Sequence, residues 1–306
     1  MIHMPEEKIF SAKAANLNYL DWGPSSADPL VMLHGGAWSW QEYLSLIPSL
    51  AKNWHVYALD FRGNGRSGWV PDTYRLQDFV EDSAQFLGQL KAPTVLAGHS
   101  LGGVVALMLA ARFPDKLKAL ILEDPAITLE NYRKVIESSR DMFGVWLELK
   151  KRAQSEHELA VLLAEEYSGY PGVTSSWLLY FARCLWQLDP TFFSAMLRDF
   201  EEFAADYDGQ QLLAKISCPV LCLRGETNLG AVMTEEEVSW LQKACHNVKC
   251  VQIGGVGHLL HLESQGQTPV LTAMLAFLAE PAAPPNGGPA KPLGDSAASE
   301  GPPSVS

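Results

Sequence analysis

Residues 94–113 read TVLAGHSLGGVVALMLAARF and join two kinds of local pattern. The first four residues are apolar or β-branched, which is typical of a buried strand, and the stretch after Ser100 is apolar throughout, which is typical of a buried helix. Between them stands the pentapeptide GHSLG, residues 98–102. Side chains at its two glycines would collide with the neighbouring backbone in so tight a turn. The strand–turn–helix unit therefore predicts a nucleophile elbow that exposes the Ser100 hydroxyl above a sheet.

The rest of the chain repeats this alternation of strand and helix. Apolar runs that predict strands lie at residues 30–33, 55–59, 94–97, 117–122, 219–223 and 248–253, and helical patterns lie at residues 43–52, 76–90, 101–113, 234–245 and 268–278. Residues 8–21 predict an antiparallel pair that leads into the sheet. Because strand and helix alternate, we expect an α/β fold with a mostly parallel sheet flanked by helices.

Two segments depart from the alternation. Residues 127–208 contain no strand-like run, are rich in aromatic side chains, and have breaks near residues 169–172 and at residues 189–190. An all-helical insertion between two strands of a parallel sheet predicts a lid over the ligand site. We therefore expect a core of residues 1–126 and 209–280, a helical lid of residues 127–208, and a disordered tail, rich in Pro, Ala, Gly and Ser, over residues 281–306.

Charge and hydropathy exclude several function classes. The 306 residues carry a formal net charge of −12. So acidic a chain has no electrostatic footprint for nucleic acid and is repelled by anionic membranes. No apolar run is long enough for a membrane span, and the first residues contain no secretory signal. The sequence thus predicts a cytoplasmic location, no membrane span and no nucleic-acid partner, while the oligomeric state stays open.

The cysteines and the remaining motifs point to neither cofactor nor metal. The number of cysteines is odd and their spacing matches no zinc pattern; they are Cys184, Cys218, Cys222, Cys245 and Cys250. We expect buried, reduced thiols. The chain has no phosphate-binding P-loop, no dinucleotide fingerprint and no cluster with metal-ligand spacing.

Three further segments resemble motifs of the α/β-hydrolase family. Residues 34–38, HGGAW, are similar to its oxyanion loop, and residues 60–67, DFRGNGRS, to its D-x-R-G-x-G-x-S loop. Residues 254–258, GGVGH, resemble the loop that delivers the catalytic histidine. Together with the elbow, they make the chain similar to this family, and to its serine esterases and lipases, from about residue 8 to residue 280.

The resemblance implies a role for each site residue. Ser100 would be the nucleophile and His258 the base that takes its proton, with His261 as the less favoured base. The Leu101 amide would be one oxyanion donor. The second donor would come from Gly36 or, less well, from its neighbour at position 37.

The acid of the triad is the point where the sequence departs from the commoner family pattern. The family most often places an Asp three residues after the glycine that ends the penultimate strand, and that position here is Asn228. An amide orients an imidazole but supplies no negative charge. A minority of families place the acid at the end of the strand after the elbow helix, where Asp124 stands. Asp124 is the preferred acid, and Glu226, Glu123 and Asn228 remain alternatives. We expect Pro125 to hold the Asp124 backbone extended.

The expected reaction is hydrolysis of an ester-like acyl bond in an apolar small molecule, through an acyl-enzyme on Ser100. Trp38 beside the oxyanion loop and His99 in the elbow are the expected substrate contacts. Hydrolysis of lactones or of carbon–carbon bonds uses the same machinery, and a non-catalytic ligand receptor of the same fold is a further alternative.

Overall fold

The computed structural model describes residues 3–90, 93–168, 174–245 and 247–280. Across these residues one sheet has eight strands: β1 (His3–Ser11), β2 (Asn16–Gly23), β3 (Pro29–Leu33), β4 (His55–Leu59), β5 (Thr94–His99), β6 (Leu117–Glu123), β7 (Val220–Arg224) and β8 (Val248–Gln252). Their order is β1-β2-β4-β3-β5-β6-β7-β8. The β1–β2 and β2–β4 pairs are antiparallel, and all later pairs are parallel. The predicted antiparallel lead-in and parallel sheet are confirmed.

The register of the central strands brings their carboxyl ends together. Leu33 of β3 lies beside Gly98 of β5, Gly98 lies beside Leu122 of β6, and Leu122 lies beside Cys222 of β7. The residues of β3 and β5 are buried throughout, as strands covered on both faces must be. The loops that follow β3, β5 and β6 therefore emerge side by side at one edge of the sheet.

Helices cover both faces of this sheet. They are α1 (Ile47–Leu50), α2 (Leu76–Gly88), α3 (Leu101–Arg112), α4 (Leu129–Ser138), α5 (Arg140–Arg152), α6 (Glu156–Glu166), α7 (Ser175–Gln187), α8 (Phe192–Arg198), α9 (Phe200–Phe203), α10 (Gly209–Leu213), α11 (Glu235–Ala244) and α12 (Ser264–Ala279). One apolar cluster contains side chains of α2, α3 and α11, and a second contains side chains of α1 and α12 on the opposite face. The α/β prediction is confirmed, with α3 as its most deeply buried helix.

One predicted helix is wrong. Instead of one helix over residues 43–52, the chain forms a 3₁₀ turn, Trp40–Ser45, and then the short α1. Pro48 has no amide hydrogen with which to continue the turn before it, so a new helix starts around it.

The chain between β6 and β7 contains helices α4 to α10 and no strand within its described residues. The predicted break at residues 189–190 lies between α7 and α8, whereas the one near residues 169–172 and the predicted tail lie outside the described residues. In the described part of the chain, no helix combines the length and the apolarity that a membrane crossing needs. All five cysteines are free thiols, as predicted, although Cys218 and Cys250 are only half-buried.

Candidate active site

The turn between β5 and α3 forces Ser100 into a strained conformation. Its φ and ψ angles are 52° and −118°. A Cβ atom at Gly98 would lie 2.2 Å from the Gly102 carbonyl oxygen, and one at Gly102 would lie 2.0 Å from the Leu33 carbonyl oxygen. Real side chains do not fit at those distances, so both glycines are required for the turn. The elbow predicted from residues 94–113 is present in the structure.

A continuous chain of hydrogen bonds links Ser100, His258 and Asp124. The Ser100 Oγ lies 2.9 Å from His258 Nε2, and His258 Nδ1 lies 2.8 Å from Asp124 Oδ2. The Asp124 side chain is completely buried, and the His258 side chain remains 25% exposed. The Val232 and Met233 amides donate to the two Asp124 oxygens at 2.7 and 3.1 Å. These two amides, which the sequence analysis missed, hold the carboxylate in place and satisfy its buried oxygens.

The alternative acids lie elsewhere. Glu226 accepts a hydrogen bond from the Gly255 amide, and Asn228 lies in an exposed 3₁₀ turn. Glu123 is buried and accepts from Nδ1 of His261 at 2.6 Å and from its amide at 3.2 Å. Of the four candidate acids, the structure brings Asp124 to His258.

The Asp124 backbone corrects one expectation. Its φ angle is 47°, so Pro125 does not hold it extended. The Asp124 amide donates to the Leu223 carbonyl at 2.8 Å, and the bonds to its carboxylate fix the residue further. In the described chain, the non-glycine residues with positive φ are Ala37, Ser100, Asp124 and Asp72, the last of which lies between β4 and α2. Backbone strain is thus concentrated in the loops after β3, β5 and β6, and such strain often marks functional sites.

The candidate oxyanion donors follow strands β5 and β3. Leu101 is the first residue of α3, and Gly36 lies in the loop after β3, where the Trp38 amide donates to the Gly35 carbonyl at 3.3 Å. Within residues 3–90, 93–168, 174–245 and 247–280, the Gly36 and Leu101 amides donate to no protein acceptor. A Cβ atom at Gly36 would lie 3.9 Å from both Leu101 and Phe192, so neither neighbour crowds the loop at this point.

The two expected substrate contacts occupy different places. Trp38 is only 6% exposed and stacks on Tyr180 of α7, with a centroid distance of 5.5 Å. It thereby joins the loop after β3 to the helices between β6 and β7. His99 is completely buried, and its Nε2 lies 3.0 Å from the His258 carbonyl oxygen. The His99 ring is thus enclosed beside the His258 backbone, and its contact with substrate stays a prediction.

Glu42 is a site neighbour that the sequence analysis missed. Its side chain is fully buried, and both its oxygens lie 3.2 Å from the Gly35 amide nitrogen. No motif marks it, but it is the one charged residue in the apolar stretch 35–51, and that isolation was a usable signal. Within the described residues, no group of three or more His, Cys, Asp or Glu side chains is arranged to hold a metal ion.

A family model described as alpha/beta hydrolase fold matches residues 28–265. The chain belongs to the α/β-hydrolase family. The serine hydrolase-like protein of Danio rerio is 35% identical over 106 residues, which is 34% of this chain and 32% of that protein. Its Homo sapiens counterpart is 35% identical over 150 residues, which is 48% of this chain and 70% of that protein. The pimeloyl-[acyl-carrier protein] methyl ester esterase of Neisseria meningitidis serogroup B is 35% identical over 99 residues, which is 32% of this chain and 37% of that protein.

The matched segments thus span about a third of the Danio rerio and Neisseria meningitidis relatives. Solved structures resemble this α/β-hydrolase over much more of its length. Carboxylesterase CesB (YbfK) from Bacillus subtilis matches with a TM-score of 0.68 and 21% identity over 90% of this chain and 92% of that one. E-2-(acetamidomethylene)succinate hydrolase matches with a TM-score of 0.69 and 19% identity over 90% of this chain and 100% of that one. At these identities the likeness shows the fold alone.

Proposed function

We propose that this α/β-hydrolase cleaves carboxylic esters of apolar small molecules through an acyl-enzyme on Ser100. The observation that carries the proposal is the unbroken chain of hydrogen bonds from the buried Asp124 carboxylate through His258 to the Ser100 hydroxyl. A serine hydroxyl is a weak nucleophile until a base takes its proton, and this geometry supplies the base.

In the first half of the reaction, the Ser100 Oγ attacks the ester carbonyl carbon while its proton passes to His258 Nε2. Asp124 accepts a hydrogen bond from His258 Nδ1–H and stabilises the imidazolium that forms. His258 then gives its proton to the departing alkoxide, and the acyl group stays on Ser100. In the second half, His258 takes a proton from water while the hydroxide attacks the acyl carbon. His258 then returns the proton to the Ser100 oxygen as the acyl–Ser100 bond breaks and the carboxylic acid leaves.

The oxyanion formed in both halves needs preorganised donors. We assign this role to the Gly36 and Leu101 amides, which have no acceptor in the described protein and stand on loops beside Ser100. The positive end of α3 points at the same position and adds to the stabilisation. Loss of one such donor typically costs about 10²–10³ in kcat.

We further propose that residues 127–208 form the lid over this site and set its preference for apolar substrates. Trp38 packs against Trp177, Tyr180 and Phe181 of α7, with centroid distances of 6.0, 5.5 and 4.9 Å. The Tyr180 hydroxyl also donates to the carbonyl of the residue after Trp38, at 3.3 Å. These contacts place apolar aromatic surface against the oxyanion loop, which favours apolar acyl or alcohol groups.

Steady-state and pre-steady-state hydrolysis of p-nitrophenyl acetate and butyrate tests the proposal. We expect saturable hydrolysis with a burst of p-nitrophenolate equal to the enzyme concentration wherever deacylation is slower than acylation. Ser100→Ala serves as the matched control and should abolish both turnover and burst. If the folded wild-type protein turns over lactones or diketones but no ester, the proposed substrate class is wrong. If it turns over none of them, the receptor alternative replaces hydrolysis.

A further inference from the structure

A buried carboxylate lies behind the candidate oxyanion loop. Glu42 belongs to the 3₁₀ turn Trp40–Ser45, and its side chain has no exposed surface. Both of its oxygens lie 3.2 Å from the Gly35 amide nitrogen, so that one amide is shared between them. Because a buried carboxylate is costly unless it is hydrogen-bonded and paired with a cation, Glu42 requires a positive partner in addition to this amide.

The His99 imidazole is that partner. Its Nδ1 lies 3.5 Å from Glu42 Oε1, and its ring packs against Gly35, where an added Cβ atom would lie 3.0 Å from Nδ1. Burial by itself lowers the pKa of His99, but the charges of Glu42 and Glu123 and hydrogen bonds outweigh it and raise the pKa to about 9. A pKa above neutrality favours the imidazolium, which forms an ion pair with Glu42 although Nδ1 makes no hydrogen bond among the described residues.

The other edge of the same ring reaches the catalytic histidine. His99 Nε2–H donates to the His258 carbonyl oxygen at 3.0 Å, and the two rings lie 4.9 Å apart. A path of contacts thus runs from the Gly35 amide through the Glu42–His99 ion pair to the backbone of His258, and its Glu42–His99 step is a charge contact without a hydrogen bond. The Glu42 carboxylate also offsets the positive charge of His99, which would otherwise oppose protonation of His258 during the reaction.

We propose that Glu42 and His99 are positioning residues that hold the oxyanion loop and the catalytic-histidine loop in one fixed relation. The inference rests on the proposed ester hydrolysis, since it assigns these residues to its two pieces of machinery. A single buried ion pair then fixes the positions of the oxyanion donors and of the base His258. Removing the ion pair would therefore displace the donors and the base together.

The remaining charged neighbours do not share this path. Glu123 pairs with His261, whose ring lies 5.4 Å from the His99 ring and stacks on Tyr43. Among the described residues, the hydrogen bonds of this second pair join Glu123 to His261 and not to Gly35 or the His258 backbone. Its charges contribute to the field around His99, and its hydrogen bonds fix His261, three residues after His258, without linking that segment to the loop after β3.

Hydrolysis of p-nitrophenyl butyrate by Glu42→Gln, His99→Gln and the double variant tests the inference. In His99→Gln, the glutamine side chain can present an amide N–H to the His258 carbonyl in place of the ring N–H, but it carries no charge. We expect Glu42→Gln to lower kcat about 10- to 100-fold with KM changed less than about 3-fold, because the acylation geometry is altered and ground-state binding is not. The double variant should be no slower than Glu42→Gln alone, because residues on one path are not additive.

Asp82→Asn is the matched control. Asp82 is also a buried carboxylate, and it accepts from Arg62 Nε at 2.6 Å outside the two loops. This variant should lose stability while kcat per folded molecule stays near the wild-type value. If Glu42→Gln folds and its kcat equals that of wild type, or if the effects of the two single variants add independently, the inference is overturned.

Two further outcomes are separable. If Glu42→Gln does not fold, His99→Gln alone decides: a lowered kcat at constant KM supports the path, and an unchanged kcat refutes it. If the wild-type protein hydrolyses no ester, the proposed function and the inference that rests on it are both refuted. A wild-type protein that hydrolyses the ester beside unaffected variants would refute the inference and leave the proposed function intact.

Discussion

The pairs Asp124–His258 and Glu123–His261 each join a carboxylate to a histidine, and their acids are neighbours in the chain. His258 Nε2 lies 2.9 Å from the Ser100 hydroxyl, and its side chain is 25% exposed. The His261 side chain has no exposed surface, and its Nε2 has no hydrogen-bond partner among the residues described. One pair therefore faces the reaction site and the other is enclosed.

The difference follows from the end of β6. Glu123 is the last residue of β6, and Asp124 is the first residue of the strained loop after it, with a φ angle of 47°. Neighbouring positions on a strand point to opposite faces, and the turn at Asp124 increases the separation. Glu123 thus reaches the layer in which His261 stacks on Tyr43, whereas Asp124 reaches the amides of residues 232–233. The two pairs thus differ in what the histidine Nε2 meets: the Ser100 hydroxyl for His258, and no hydrogen-bond partner among the described residues for His261.

The largest predicted difference between the pairs concerns the histidines. His258→Gln should lower kcat for p-nitrophenyl butyrate by about 10⁴-fold or more, because the Ser100 hydroxyl loses its base. His261→Gln should leave kcat far closer to wild type once the rate is normalised to folded protein. Equal losses of kcat in the two variants would contradict the assignment of His258, rather than His261, as the base.

The second largest difference is expected between the acids, Asp124 and Glu123. Asp124→Asn should lower kcat about 10³- to 10⁴-fold, since the imidazolium loses its countercharge and the ring its correct tautomer. Glu123→Gln should instead lower the free energy of unfolding by about 1–3 kcal/mol, because the buried partner of His261 becomes neutral. Urea unfolding alongside kcat separates the two effects. A kcat loss of about 10³-fold in Glu123→Gln would mean that the acid was wrongly assigned.

The pH dependence of the free energy of unfolding tests the Glu42–His99 ion pair. The pKa of His99 is raised to about 9, and that of an unfolded histidine is near 6.5. The stabilisation from its proton is therefore fully present below about pH 6.5 and is lost as the pH rises through about 9. Urea unfolding at about pH 7 and about pH 9.5 should show this loss in the wild type and a weaker loss in Glu42→Gln. An identical pH dependence in both proteins would show that Glu42 does not hold the proton on His99.

Glu123 adds a second pH dependence to the free energy of unfolding, at acidic pH and opposite in sign to that of His99. Burial by itself raises its pKa, but the charge and hydrogen bonds of His261 outweigh burial and lower it. Its contribution to stability is present above the unfolded pKa of about 4.5 and is lost as the pH falls through the lower folded value. Acid unfolding of Glu123→Gln should therefore lack part of the steep loss of the wild type below about pH 4.5.

The smallest predicted effect lies at the proposed lid. Tyr180→Phe removes the 3.3 Å hydrogen bond to the Ser39 carbonyl and keeps the stacking on Trp38. We expect a loss of about 0.5–1.5 kcal/mol in unfolding free energy and little change in kcat. Thermal unfolding measures the first and ester hydrolysis the second. A large drop in kcat would give the lid a direct catalytic role.

The local motifs explain how much of the site could be predicted from the sequence. Steric demands between Gly98 and Gly102 fix the elbow within a few residues, so the Ser100 turn was visible in the chain itself. The partners of Glu42 and His99 are chosen by the tertiary fold, and no spacing rule reveals them. The position of Trp38 depends on ring contacts with Trp177, Tyr180 and Phe181 of α7. Their i, i+3, i+4 spacing predicts one helix face, but not the surface that this face meets.

Two local rules also failed for physical reasons. The interruption at Pro48 outweighed the helical periodicity of residues 43–52. The preference of a residue before proline for extended backbone was outweighed at Asp124 by the hydrogen bonds to its amide and carboxylate.

The most direct test of the central claim is covalent labelling by a fluorophosphonate probe, read by intact mass and peptide mapping. The probe requires an activated serine and an oxyanion site together, and it requires no knowledge of the substrate. We predict stoichiometric labelling of Ser100 in the wild type, none in Ser100→Ala, and much slower labelling in Asp124→Asn than in Glu123→Gln. Folded wild-type protein that stays unlabelled, or that is labelled at another residue, would contradict the claim.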